Sequence, residues 1–163
     1  DDSRLRLKLH SKAYYSKMDR KDGDKRSYGL LMHEILSSIK TSNDIQVVLD
    51  DYLDKGIIDH TDRRSLNEKL NTALNDDRVK LWFSDDIEVK TERDILVPGG
   101  KIRRPDRLVF RDDRLIITDF KFGEILPGHK KQLEEYRKIL QDMGYKNVDA
   151  FLWYPDESKV VEV

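Results

Sequence analysis

The sequence predicts an α/β sandwich built on a mixed sheet, and three patterns carry that prediction. Apolar residues recur at helical spacing through the first half, three extended segments parted by turn residues fill 87–121, and one amphipathic helix leads into two short closing strands. Helices grouped ahead of a meander do not make a regularly alternating doubly wound sheet. A length of 163 residues suits one domain around one core, and the absence of cysteine removes disulfides and thiolate-bound metal clusters.

The chain has no initiating Met and opens into Leu5-Arg6-Leu7-Lys8-Leu9, an alternating strand pattern, so it is expected to be a fragment of a longer protein. Residues 16–27 are polar, contain Gly23 and read as a loop. From Tyr28 the pattern turns helical, with Leu31, Met32, Ile35 and Ile39 on the same face. A second helix over 44–55 carries Ile45, Val48, Leu49 and Tyr52 and is closed by Gly56; a third, over 61–76, carries Leu66, Leu70, Ala73 and Leu74. These helices are expected to pack rather than catalyse.

Residues 79–83 connect to an extended segment over 87–97, ended by the turn signal Pro98-Gly99-Gly100. Strands over 101–110 and 114–121 follow, around the polar run from Arg111 to Arg114. After Pro127-Gly128 the helix over 129–143 stops before Gly144, and 149–154 and 160–163 read as the last strands.

A charged fraction of 39% with a net charge of -1 means that acids and bases nearly cancel. Any nucleic-acid contact would have to come from local basic groups, either Arg103-Arg104, Arg107, Lys130-Lys131 or Arg137-Lys138, each of which reads equally well as solvated surface. No apolar run approaches the roughly 18 residues of a membrane span, and the first residues do not resemble a signal peptide. A cytoplasmic setting without membrane attachment is expected.

The hairpin over 101–121 holds the chemistry. If Asp112 and Asp113 form its two-residue loop, residues whose numbers sum to 225 lie opposite each other: Asp106 against Asp119, Leu108 against Ile117, Phe110 against Leu115. The apolar pairs match. Two carboxylates directly opposite repel unless a positive charge sits between them, and a divalent cation supplies it. Alternation then puts Lys121 on the face of Asp119.

Hydrolysing a phosphodiester needs an activated water, a Lewis acid on the phosphate and charge stabilisation of the leaving oxygen. Asp106 and Asp119 are candidates to hold Mg²⁺, which prefers carboxylate oxygen and keeps several waters. Lys121 is the candidate to orient or deprotonate the water and to stabilise developing charge. His33 lies about 140° around its helix from Tyr28, outside the apolar stripe, beside the space left by Gly29; it reads either as an exposed or capping histidine or as a ligand. His10, His60 and His129 lack such a setting. Gln132 and Tyr136 share a helix face, where Tyr136 either stacks on nucleic acid or packs with Ile139 and Met143 in the core. Glu92 gives only a weak signal, because Glu88 and Asp94 share its face.

Four stretches, in this order, resemble the PD-(D/E)xK nucleases, in particular the RecB-like nuclease domains at the C-termini of AddA-type and RecB-type helicase-nucleases. They are Gly29-Leu30-Leu31-Met32-His33-Glu34-Ile35-Leu36, Pro105-Asp106-Arg107-Leu108, Ile117-Thr118-Asp119-Phe120-Lys121-Phe122-Gly123 and Gln132-Leu133-Glu134-Glu135-Tyr136. The likeness covers the chain from Tyr28 to its end. It implies a restriction-endonuclease-like α/β/α sandwich, with a central mixed β-sheet flanked by helices, as a single domain over 1–163. It also implies that His33, Asp106, Asp119 and the Phe120 carbonyl bind Mg²⁺ or Mn²⁺ and that Lys121 is catalytic with the two aspartates. Gln132 and Tyr136 would belong to the substrate side, where Arg107 is expected to join them.

Some relatives carry four cysteines for an iron-sulfur cluster; this chain has none, so no such cluster is expected. It also has no Gly-x-x-x-x-Gly-Lys-Ser/Thr loop, so the ATP-driven motor that the resemblance implies would lie upstream in the same polypeptide. The expected partners are therefore DNA, that upstream helicase domain and a second helicase-nuclease subunit. The expected activity is a deoxyribonuclease, exonuclease rather than endonuclease, acting in double-strand break repair and recombination. Two alternatives stand beside it: a catalytically silent DNA-binding or structural module of the same fold, and a free-standing restriction- or phage-type nuclease.

Overall fold

The structure of the chain, a computed structural model, describes residues 22–91, 95–96, 102–103 and 105–163. It divides into two compact units, Asp1–Lys80 and Leu81–Val163. The expected strand over 5–9 and the weak candidate Glu92 lie outside the described residues.

The first unit is helical. Helix α1 spans Asp22–Ser38, α2 Ile45–Asp54 and α3 His60–Leu74. The expected loop over 16–27 is helical from Asp22 onward. Capping sets the other starts: Thr41 and Asp44 form a reciprocal box before α2, and Asp59 and Asp62 form another before α3. Gly56, at φ 67°, takes the left-handed conformation that lets the chain leave α2. Ile45, Leu49, Leu66, Leu70 and Leu74 are buried, and the Lys69 ammonium donates to the Tyr28 hydroxyl to tie α3 to α1.

The second unit is a five-stranded mixed sheet with one helix. Its strands are β1 (Glu88–Thr91), β4 (Arg107–Arg111), β5 (Arg114–Phe120), β6 (Asn147–Tyr154) and β7 (Lys159–Glu162), side by side in that order. Only β5 and β6 run parallel, and α4 (Pro127–Asp142) crosses between them, as a parallel pair requires. A separate ribbon pairs β2 (Ile95–Leu96) with β3 (Ile102–Arg103). Its partners and those of β1 with β4 both sum to 198, so the two pairings share one register. The expected strand over 101–110 is therefore two strands, parted near Pro105, which has no N–H to donate to a ladder.

The fold is mixed α/β, compatible with an α/β sandwich. The hairpin register is the one the apolar pairs predict: Leu108 lies against Ile117 and Phe110 against Leu115. Asp112 makes the tight turn at φ 52°, a conformation that short polar side chains tolerate. Leu108, Leu115, Ile117, Ala150 and Leu152 form the sheet side of a core completed by Leu133, Tyr136 and Leu140 of α4. No described helix is long and apolar enough to cross a membrane.

Candidate active site at the end of β5

The chemistry-bearing side chains gather where β5 ends. Asp119 is its penultimate residue and only 3% exposed. Asp106 lies in the bend just before β4, next to the pair Arg107 and Thr118, so the hairpin carries it to the side of Asp119. The two aspartates hold each other's backbones. The Asp106 N–H donates to Asp119 Oδ1 at 3.3 Å, and the Phe120 N–H donates to Asp106 Oδ2 at 2.7 Å. Lys121 follows immediately, with Nζ 3.2 Å from Asp119 Oδ2. Its own N–H donates to the Trp153 carbonyl and holds the residue against β6.

Burial first, and then the negative charge of Asp106, push the Asp119 carboxyl up to about 7; the Lys121 ammonium works against both. One ammonium does not offset two adjoining carboxylates, so the site favours a further positive charge, whether a proton or a cation. Oxygen donors short of one cation are the donor set that a hard divalent ion fits. In an extended strand the N–H and C=O of a residue point to the same side, so the Phe120 carbonyl faces the same edge as its N–H, toward Asp106. These residues fit Mg²⁺ or Mn²⁺ with Asp106, Asp119 and the Phe120 carbonyl as ligands. His33 lies on α1, in the other unit, half-exposed and outside the buried stripe of Tyr28, Leu31, Met32 and Ile35. Its assignment as a ligand rests on the resemblance alone.

Two expected substrate contacts are corrected. Arg107 is fully buried: its Nε–H donates to the Trp82 carbonyl at 3.0 Å, and its guanidinium lies 3.9 Å from the centre of the Phe83 ring. It supports the sheet and presents nothing to a ligand. Tyr136 is 4% exposed within the core of α4 and the sheet, so its ring offers no face for a base. Its hydroxyl instead accepts from Gln132 Nε2 at 3.3 Å, leaving half-buried Gln132 as the reachable member of that pair. Lys130, Lys131 and Lys138 are exposed, whereas Arg137 donates to the Val163 carbonyl.

His129 and Tyr154 belong to the same neighbourhood, which the local sequence pattern does not reveal. Phe120 pairs with Trp153 at the end of the parallel ladder, and Lys121 and Tyr154 are the next residues along the two chains. His129, in the first turn of α4, has Nδ1 3.2 Å from the Tyr154 hydroxyl. Only the parallel register of β6 makes this association visible. No protein-family model matches the chain, and no curated protein matches it.

Proposed function

We propose that this chain is a divalent-metal-dependent nuclease that hydrolyses phosphodiester bonds in DNA. The observation that carries the reading is buried Asp119 beside Asp106, its carboxyl pushed up to about 7, with Lys121 Nζ 3.2 Å from its Oδ2. Asp106, Asp119 and the Phe120 carbonyl would hold Mg²⁺ or Mn²⁺. The bound ion supplies Lewis acidity at the phosphate and a water acidic enough to attack at neutral pH. Lys121, held by Asp119 and by the β6 backbone, orients that water and stabilises the charge that grows on the phosphate oxygens. Gln132, at the start of α4, contacts the strand being cut.

The finer reading follows the four sequence stretches: a RecB-like nuclease domain of a helicase-nuclease, with a restriction-endonuclease-like fold, receiving DNA from an upstream motor during double-strand break repair. Labelled single-stranded DNA incubated with Mn²⁺ tests the chemistry. The wild-type chain is expected to digest it, while Asp119→Ala and Lys121→Ala lose activity by about a hundredfold or more. Equal digestion by all three proteins would overturn the assignment.

A further inference from the structure

We infer that His129 is a second substrate-contacting residue of this site, its Nε2–H donating to a phosphate oxygen of the DNA strand held beside Lys121. The inference rests on the nuclease reading for its ligand and on the following geometry for its residue.

Two neighbours hold the imidazole at Nδ1. The Leu126 N–H points to Nδ1 at 3.5 Å, and the Tyr154 hydroxyl lies 3.2 Å from the same nitrogen. The Leu126 N–H can only donate, which favours the tautomer in which Nδ1 accepts and the ring proton sits on Nε2. Tyr154 is held in turn: it is 1% exposed in the core between α4 and the sheet. In that tautomer the ring donor lies on the side away from Tyr154. Burial, and then the nearby Lys121 charge, press the His129 pKa down, which agrees with a neutral ring.

Its place matters as much as its protonation. Lys121 directly follows β5 and Tyr154 ends the parallel strand β6, and α4 starts six residues after Lys121, so His129 stands at the carboxyl end of these strands where Asp119 and Lys121 also stand. Open α/β sheets receive ligands at that end. Gln132 follows one turn later on the same flank of α4. A neutral N–H donor beside an ammonium suits a phosphodiester, because it adds a directed bond to a non-bridging oxygen without another charge to desolvate.

The test separates the outer nitrogen from the inner one. His129→Asn keeps an acceptor near the Nδ1 position for Leu126 and Tyr154 but removes the outer donor, whereas His129→Gln reaches the outer position with an amide and abandons the inner acceptor. Binding of fluorescein-labelled oligo(dT) is measured by anisotropy in EDTA, and digestion separately in Mn²⁺. His129→Asn is expected to keep its melting temperature and weaken binding about tenfold, appearing in KM more than in kcat; His129→Gln is expected to melt lower yet recover most of the binding. Wild-type affinity in His129→Asn would overturn the contact, as would a His129→Gln protein that binds no better than His129→Asn. A wild-type chain that binds oligo(dT) without digesting it, and loses that binding in His129→Asn, would remove the nuclease reading and keep the contact. A wild-type chain that does not bind oligo(dT) would overturn the contact.

Discussion

Asp62 on α3 and Asp119 on β5 are both buried aspartates, 0% and 3% exposed, and they differ in what they face. Asp62 faces a helix start: Oδ2 accepts from the Asp59 N–H at 3.1 Å, and its own N–H donates to Asp59 Oδ1 at 2.7 Å. Donors at a helix N-terminus favour a carboxylate, so the cap it makes stabilises the start of α3. Asp119 faces a second carboxyl and one ammonium, so its burial is unfavourable until a cation or a proton arrives. Burial of a carboxylate therefore does not mark a site; a buried carboxylate that its surroundings fail to neutralise does.

The largest expected effect breaks this contrast at Asp119. Asp119→Asn keeps the shape and removes the charge, so Mn²⁺-dependent digestion should fall on the order of a thousandfold while the protein stays folded. Digestion within a few-fold of wild type would mean that Asp119 is a structural aspartate like Asp62.

The next effect is on stability, and its sign follows from the raised pKa. Between the ordinary carboxylate value of 3.8 and about 7, the folded chain keeps a proton that the unfolded chain has released. Unfolding then becomes easier as pH rises through that window, and the full cost above it is at most about 4 kcal/mol. Urea melts in EDTA at about pH 5 and about pH 8 should show this loss in the wild type and a smaller one in Asp119→Asn. Equal pH slopes in the two proteins would sink the argument. Added Mn²⁺ should bind more tightly as pH rises through the same range, because it displaces the proton.

Arg107 extends the comparison to a buried cation. Arg107→Met removes the bond to the Trp82 carbonyl and the stacking on Phe83, so it should destabilise by about 3 kcal/mol. The salt dependence of oligonucleotide binding should not change, since the guanidinium reaches no phosphate. A shallower salt slope in Arg107→Met would restore it as a DNA contact.

What could be read in the sequence depended on how local its cause is. The hairpin register was legible because Leu108, Phe110, Leu115 and Ile117 must share one face, and a shift by one residue would expose all four. That register carried Asp106, Asp119 and Lys121 with it. Helix ends were legible at Gly56 and Gly144, where positive φ favours glycine. Arg107 was not, because the residues that bury it, Trp82 and Phe83, lie over twenty positions away. His129 was not, because its partner Tyr154 reaches it only through the parallel pairing of β5 with β6. The Tyr136 ring was legible only as a choice between core and surface, and the packing of α4 on the sheet decided for the core.

The smallest expected effect comes from the other side of the comparison. Asp62→Ala removes one half of the reciprocal cap before α3 and leaves the Asp59 N–H without that acceptor, which costs about 1 kcal/mol. The loss should appear as a drop of a few degrees in melting temperature, equal at about pH 5 and about pH 8, because the deleted bond does not depend on Asp119. Digestion by the folded fraction should match the wild type. Asp119→Asn is expected to do the reverse, with activity lost and alkaline stability gained, so the two variants measured together separate a carboxylate that serves the fold from one that the fold holds at a cost. Asp62→Ala digesting DNA less well at temperatures where it is fully folded would place Asp62 with the site and dissolve the distinction.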